Sequence, residues 1–242
     1  MSGAIPTDRN LYEEDHEAFR ETVRAFVDKH AAPNAERWGR EGKVDRWLFT
    51  EAAKAGVLGF NIPEEFGGGG TRDFRFNAIL GEELARHPVS DGLAGVGLSN
   101  DIVIPYFTDL TDDEQKRRWL PGIAAGELVV AVAMTEPGTG SDLSGIRTSA
   151  VRDGDDYVVN GSKVFISNGQ NADLIVTAVR TGQTLTRASA SSSSRPTARA
   201  SSVAATWRRS ACTRRTPASS SSRTYASRWP TCSERRAAGS SA

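Results

Sequence analysis

"AMTEPGTGSDLSGIRTS" occupies residues Ala133 to Ser149, where the hydrophobic period of the chain changes. Ahead of it, up to about Ala125, apolar residues recur at helical spacing. Overlapping its start, "ELVVAVAMTE" is a continuous β-forming run. Behind it, "TSAVRDGDDYVVNGSKVFISNG" carries a turn at Asp153 to Asp156 and Asn-Gly pairs at Asn160 and Asn168, and "ADLIVTAVR" is another strand. Short antiparallel strands joined by tight turns are the economical reading, making a small β domain or the first half of one. Within the stretch, Pro137 fixes one turn and Gly138 and Gly140 permit close approach to the backbone. Thr135, Thr139, Ser141 and Ser144 supply hydroxyls in a short arc. Such a loop can hold a polar ligand against a strand end; taken alone, it also fits an ordinary hydroxyl-rich turn.

Towards the N-terminus the pattern is helical. Phe19, Val23, Phe26 and Val27 form one apolar stripe on a charged segment, which Pro33 is expected to close. A second helix is expected from Asp45 as N-cap, with Leu48, Phe49, Ala52 and Ala53 facing inward and Gly56 as a left-handed stop. "GVLGFNIPEEFGGGG" then reads as a loop with either a specific route or simple flexibility. It is no phosphate loop, because no Lys-Ser or Lys-Thr follows Gly67 to Gly70. Thr111 and Glu114 fit a capping box, with Pro121 ending a short helix. The fold class expected is α+β: an all-α helical domain over 1–125, a partial antiparallel β domain over 126–182, and a disordered tail over 183–242.

Over all 242 residues, 30 basic side chains balance 30 acidic ones. That balance hides an asymmetry: residues 183–242 hold 11 Arg, no Lys and one acid, Glu234, for +10. The first 182 residues therefore hold 19 basic against 29 acidic side chains, for −10. An acidic body argues against nucleic acid as a partner, because phosphate contacts need a basic face. Both cysteines, Cys212 and Cys232, lie in the tail, which leaves the body without a disulfide, a thiolate nucleophile or a Cys-based metal site. "MSGAIPTDRNLYEEDHE" lacks the basic and apolar regions of a signal peptide, and no apolar run approaches the roughly 20 residues of a membrane span. A cytoplasmic location is the expectation. His16, His30 and His87 have no Ser or Cys constellation and read as surface or core residues, and the carboxylate pairs Glu64/Glu65 and Glu82/Glu83 read as solvated or capping groups.

"MTEPGTGSD" followed by "DGDDYVVNGSKVFISNG" resembles the middle domain of the acyl-CoA dehydrogenases, and "GVLGFNIPEEFGGGG" is similar to the loop of their N-terminal helical domain. The wording lies nearest the long-chain type. The resemblance implies FAD as cofactor and desaturation of an acyl-CoA thioester, in which a carboxylate takes the α-proton while the β-hydrogen leaves as hydride to the flavin. Electrons then pass to an electron-transfer flavoprotein. By motif position it makes Met134, Thr135, Gly140 and Ser141 one FAD-contacting group and Phe165, Ile166 and Ser167 a second, with Ser141 also touching acyl-CoA. The catalytic base, the rest of the FAD site and the homo-oligomer interface belong to a C-terminal helical domain that these residues do not include. A polypeptide of this sequence is expected to be inert and to bind FAD weakly or not at all. An acyl-CoA oxidase on the same scaffold and a non-catalytic binding module with a basic tail are the alternatives.

The tail itself, with few large apolar residues and long Ser/Ala/Arg runs, has the composition of disorder. It also reads as coding DNA in a shifted frame. Back-translated in GC-rich codons and read one base earlier, its Ser codons beginning with T become apolar codons, and a run similar to the family's "FEDVRVP" can emerge. The shift would lie in the codons of Thr181 to Thr184.

Overall fold

The computed structural model describes residues 11–86, 90–153, 156–181 and 205–206. These divide into two compact units: residues up to Val130 together with Ser167–Ala172, and Ala131–Ile166 together with the chain from Asp173 onward. Among the described residues no helix is long and apolar enough to cross a membrane. His87 and all of the tail except residues 205–206 lie outside them.

The first unit is helical. In α1 (Glu14–Phe26) the buried residues His16, Arg20, Val23 and Phe26 fall on one face, and Glu14, Asp15 and Glu17 in the first turn complement the helix dipole. His16 is a core residue whose Nδ1 accepts the Glu13 N–H at 3.1 Å. Pro33 does not close the helical path as expected. The chain loosens into a π turn (Val27–Ala31), passes a 3-10 turn holding Pro33 at its start, where a missing N–H costs nothing, and resumes as α2 (Ala35–Glu41). In α3 (Trp47–Lys54), Leu48, Phe49 and Ala52 are buried, and Gly56 takes the left-handed stop at φ 72°. Asp45 caps α3 only through its carbonyl, which accepts the Leu48 N–H at 3.2 Å. Its carboxylate is taken by Arg37 and by the indole N–H groups of Trp38 and Trp47, at 3.2 and 3.0 Å. These bonds, Arg37 foremost, hold its carboxyl down at about 2 against the cost of burial.

The glycine run follows a specific route. A Cβ on Gly68 would lie 2.2 Å from the Ile62 carbonyl oxygen, and Gly67 and Gly70 have φ of 87° and 69°. Gly70 N–H and Thr71 N–H donate to the carbonyls of Ile62 and Phe60 at 2.9 and 3.0 Å.

α4 (Phe74–Arg86) packs on α1 and on α5 (Ser90–Leu98). Glu83 departs from the solvated role expected of it: its side chain is 4% exposed, and it accepts Arg20 Nη1 at 2.8 Å and Arg24 Nε at 2.9 Å. Burial pushes its carboxyl up, but Arg24 and Arg20 outweigh burial and hold it below the usual range. After a π turn (Ser99–Val103) come α6 (Ile104–Leu110) and α7 (Asp113–Ala124). The capping box sits one residue later than expected, on Asp112 and Gln115, because the buried Thr111 hydroxyl donates instead to the Phe107 carbonyl. Pro121 lies inside α7 and does not end it; buried Leu120, Ile123 and Ala124 hold the turn around it, so packing overrides local preference. The stop is Gly126, at φ 69°.

The second unit is the β region. β1 (Val130–Ala133), β4 (Leu174–Thr177) and β5 (Ala205–Thr206) form one sheet in the order β1-β4-β5, and β2 (Ser149–Asp153) and β3 (Asp156–Asn160) form an antiparallel hairpin with Asp153 opposite Asp156. Ala150, Tyr157 and Val179 make a small core against which Val159 packs. β5, from the segment expected to be unstructured, pairs antiparallel with β4. Neither Asn-Gly pair joins the strands of a hairpin among the described residues: Asn160 ends β3, and Asn168 lies in a turn. Asn168, at φ 63°, donates from Nδ2 to the carbonyls of Gly95 and Val130 at 3.0 and 3.1 Å, which ties its segment into the helical unit.

Candidate functional site

The site begins where β1 ends. Glu136 and Thr139 exchange N–H···O=C bonds of 2.8 and 3.1 Å and close a tight turn over Pro137 and Gly138. A Cβ on Gly138 or Gly140 would meet nothing within 4 Å, so the backbone here is open to a ligand. Asp142 then opens a short 3-10 turn, Leu143–Gly145, by accepting the Ser144 N–H at 2.9 Å. The Arg180 guanidinium donates to the carbonyls of Ser144 and Ile146, and its backbone N–H to the Thr148 carbonyl at 2.9 Å, so the far end of the loop is held too.

One carboxylate stitches the loop together. Glu136 Oε2 accepts the Arg147 N–H at 2.7 Å, and its Oε1 accepts the Thr148 N–H and Lys163 Nζ, both at 2.9 Å. Lys163 Nζ also donates to the Met134 carbonyl at 2.8 Å. The pair is buried, with side chains 7% and 10% exposed. Burial pushes the Glu136 carboxyl up, but the Arg147 and Thr148 N–H groups and Lys163, whose bonds the geometry shows, bring it from 4.5 down to about 2. A folded-state value below the unfolded one means stability that is present above pH 4.5 and lost as pH falls towards 2. By linkage the group contributes about 3 kcal/mol at neutral pH. Unfolding by urea at stepped pH should show that loss in the wild type and a flattened acid limb in Glu136→Gln.

The two groups of expected site residues meet through the backbone in part. Val164 N–H donates to the Thr135 carbonyl at 3.0 Å, so Met134 and Thr135, both half-buried, run beside the chain leading to Phe165 and Ile166. Gly140 and Ser141 are exposed on the turn, and Ile166 is half-buried. Phe165 is 92% exposed at φ 57°, so its ring does not serve as strand core. Ser167 is exposed and belongs to the segment grouped with the helical unit. Glu136, Lys163 and Arg180 were missed as site-builders. Their one sequence signal is that each is a charge set among apolar or small neighbours, such as Val164 to Ile166 after Lys163. Among the described residues no cluster of His, Cys, Asp or Glu could hold a metal ion.

The open turn, the exposed ring and the two clamped segments fit a flat ligand with hydrogen-bonding edges, as FAD is. Residues 13–127 match the model of the acyl-CoA dehydrogenase N-terminal domain, and residues 131–218 match that of the middle domain. The chain is 43% identical over 168 residues to the mitochondrial long-chain specific acyl-CoA dehydrogenase of Rattus norvegicus, a match covering 69% of this chain and 38% of that protein. An acyl-CoA dehydrogenase structure from Geobacillus kaustophilus superposes with a TM-score of 0.66 at 44% identity, over 70% of this chain and 44% of that one. A glutaryl-CoA dehydrogenase from Mycobacterium smegmatis, solved in complex with FADH2, gives 0.63 at 33% identity, over 73% and 45%. The chain thus spans less than half of the length of these relatives. Helical domain, loop and β strands occur in the family's order and match its models on both sides of Val130, and on that ground the chain belongs to the acyl-CoA dehydrogenase family.

Proposed function

We propose that residues 131–181 provide one wall of an FAD site, and that the chemistry served is α,β-desaturation of an acyl-CoA, with electrons passed to an electron-transfer flavoprotein. The observation that carries this is Phe165. A bulky residue in the left-handed region costs on the order of 1–3 kcal/mol, and an exposed ring returns nothing to the core. A planar aromatic ligand laid against that ring would offset the cost. FAD, when bound, supplies the hydride acceptor. Met134, Thr135, Gly140 and Ser141 would offer hydrogen bonds to it, Phe165, Ile166 and Ser167 would lie against its ring, and Ser141 would also touch acyl-CoA. No residue of this chain is assigned as the α-proton base; in this reading the base, the rest of the FAD site and the homo-oligomer interface come from protein beyond these residues. A cytoplasmic location belongs to the same proposal.

The tail is proposed to be the family's sequence in a shifted frame. A tail that is real protein is the competing reading, favoured by the pairing of Ala205–Thr206 with β4 and by the middle-domain match running to residue 218. Sequencing the coding DNA across Thr181 to Thr184 and beyond decides between them. A single base that restores the frame supports the shift, and downstream DNA without the family's C-terminal domain in any frame sinks it. A polypeptide of these 242 residues should hold FAD weakly or not at all and turn over no acyl-CoA. Stoichiometric flavin after purification, with measurable turnover, would overturn that expectation.

A further inference from the structure

The Glu136–Lys163 pair is built more thoroughly than a fold-holding contact requires. Each partner also bonds to the backbone on either side of the proposed flavin wall: Lys163 holds the Met134 carbonyl, and Glu136 takes the N–H groups of Arg147 and Thr148. Thr135 lies between the carbonyl held by Lys163 and its own carbonyl, which accepts the Val164 N–H. With both charges about nine-tenths buried, neither can swing to solvent without leaving the other uncompensated. The space beside the pair is also closed. A Cβ on Gly161, two residues before Lys163, would lie 2.4 Å from Thr148 Oγ1 and 2.7 Å from Thr148 Cα, so the two segments have one way to lie together.

We propose that Glu136 and Lys163 are positioning residues: a buried latch that locks the Met134–Thr135 backbone to the Val164–Phe165 backbone, so that the two segments present one preformed surface before any ligand arrives. What that surface is for rests on the flavin reading above; the latch itself does not. Preformed geometry is what a binding wall needs, because a segment ordered only on binding gives up affinity to conformational entropy. A pair serving only general stability would, when broken, loosen the whole β unit alike.

The test is residue-level amide exchange on the full 242-residue chain without FAD, for wild type, Lys163→Met, Lys163→Arg and the control Val159→Ala, which trims a side chain packed on the hairpin core. In Lys163→Met, the Val164, Arg147 and Thr148 amides should lose at least about tenfold more protection than the hairpin amide of Val158, which falls only by the global loss of stability. Lys163→Arg should restore part of the protection, and Val159→Ala should show the reverse pattern. Unchanged exchange at Val164, or a loss spread evenly over the hairpin, overturns the latch. FAD is then titrated into the wild-type chain, following the Thr135 and Val164 amide resonances. Shifts at these two amides support the flavin reading, and shifts that fall elsewhere and spare both overturn it, while the exchange result alone decides the latch.

Discussion

Gly126→Ala should cost the helical unit about 3–5 kcal/mol, combining the roughly 1–2 kcal/mol of a left-handed non-glycine residue with the displacement of backbone it would overlap. Gly126 has φ 69°, and a Cβ there would stand 2.2 Å from the Phe49 carbonyl oxygen and 2.5 Å from its carbon. Those atoms lie in α3, next to Leu48 and Ala52, both fully buried, so the neighbour has no direction in which to yield. A loss of that size is comparable with the whole stability of a small domain. Urea unfolding followed by far-UV circular dichroism is the measurement, with Gly42→Ala as the comparison. Gly42 is also left-handed, at φ 63°, but an added Cβ there meets nothing within 4 Å. It should lose only about 1–2 kcal/mol. Equal losses at the two positions would show that the close approach to Phe49 adds nothing.

Removing Glu83 should have the second largest effect, about 3 kcal/mol for Glu83→Ala, because it leaves a buried guanidinium short of a partner. Arg20 is 10% exposed and would keep Glu17 and Glu82, at 3.0 and 2.8 Å, but both of those are about half exposed and weakly held. Arg24 is 39% exposed, so Arg24→Ala should cost clearly less than Glu83→Ala. A double-mutant cycle should therefore give a larger coupling for Glu83 with Arg20 than with Arg24. The opposite ranking would mean that the geometry of the pair, which favours Arg24 with two bonds to Glu83, outweighs burial.

Periodicity in the sequence was enough to separate the helical part from the β part, since the change from 3.6 to 2 needs only neighbouring residues to be seen. Gly56, the hairpin turn at Asp153 to Asp156 and the apolar faces of α1 and α3 were legible for the same reason. Capping and termination were less so. Pro33 and Pro121 look like stops to local rules, yet one opens a new turn and the other is carried inside α7 by buried neighbours. Asp45 looks like a cap until Trp38, Trp47 and Arg37 compete for its carboxylate.

The site divides along the same line. Its hydroxyls, its glycines and the family resemblance are written in short local runs of residues, and the sequence by itself determined them. The Glu136–Lys163 latch spans 27 residues and the Arg20–Glu83 bridge 63, and the return of Ser167–Ala172 to the helical unit crosses a whole β segment. In a sequence each of these residues is a solvated charge or a turn residue. Burial, which makes an unpaired charge costly and a paired one specific, exists only once the chain has closed on itself, and the tertiary structure alone decided which charges it reached.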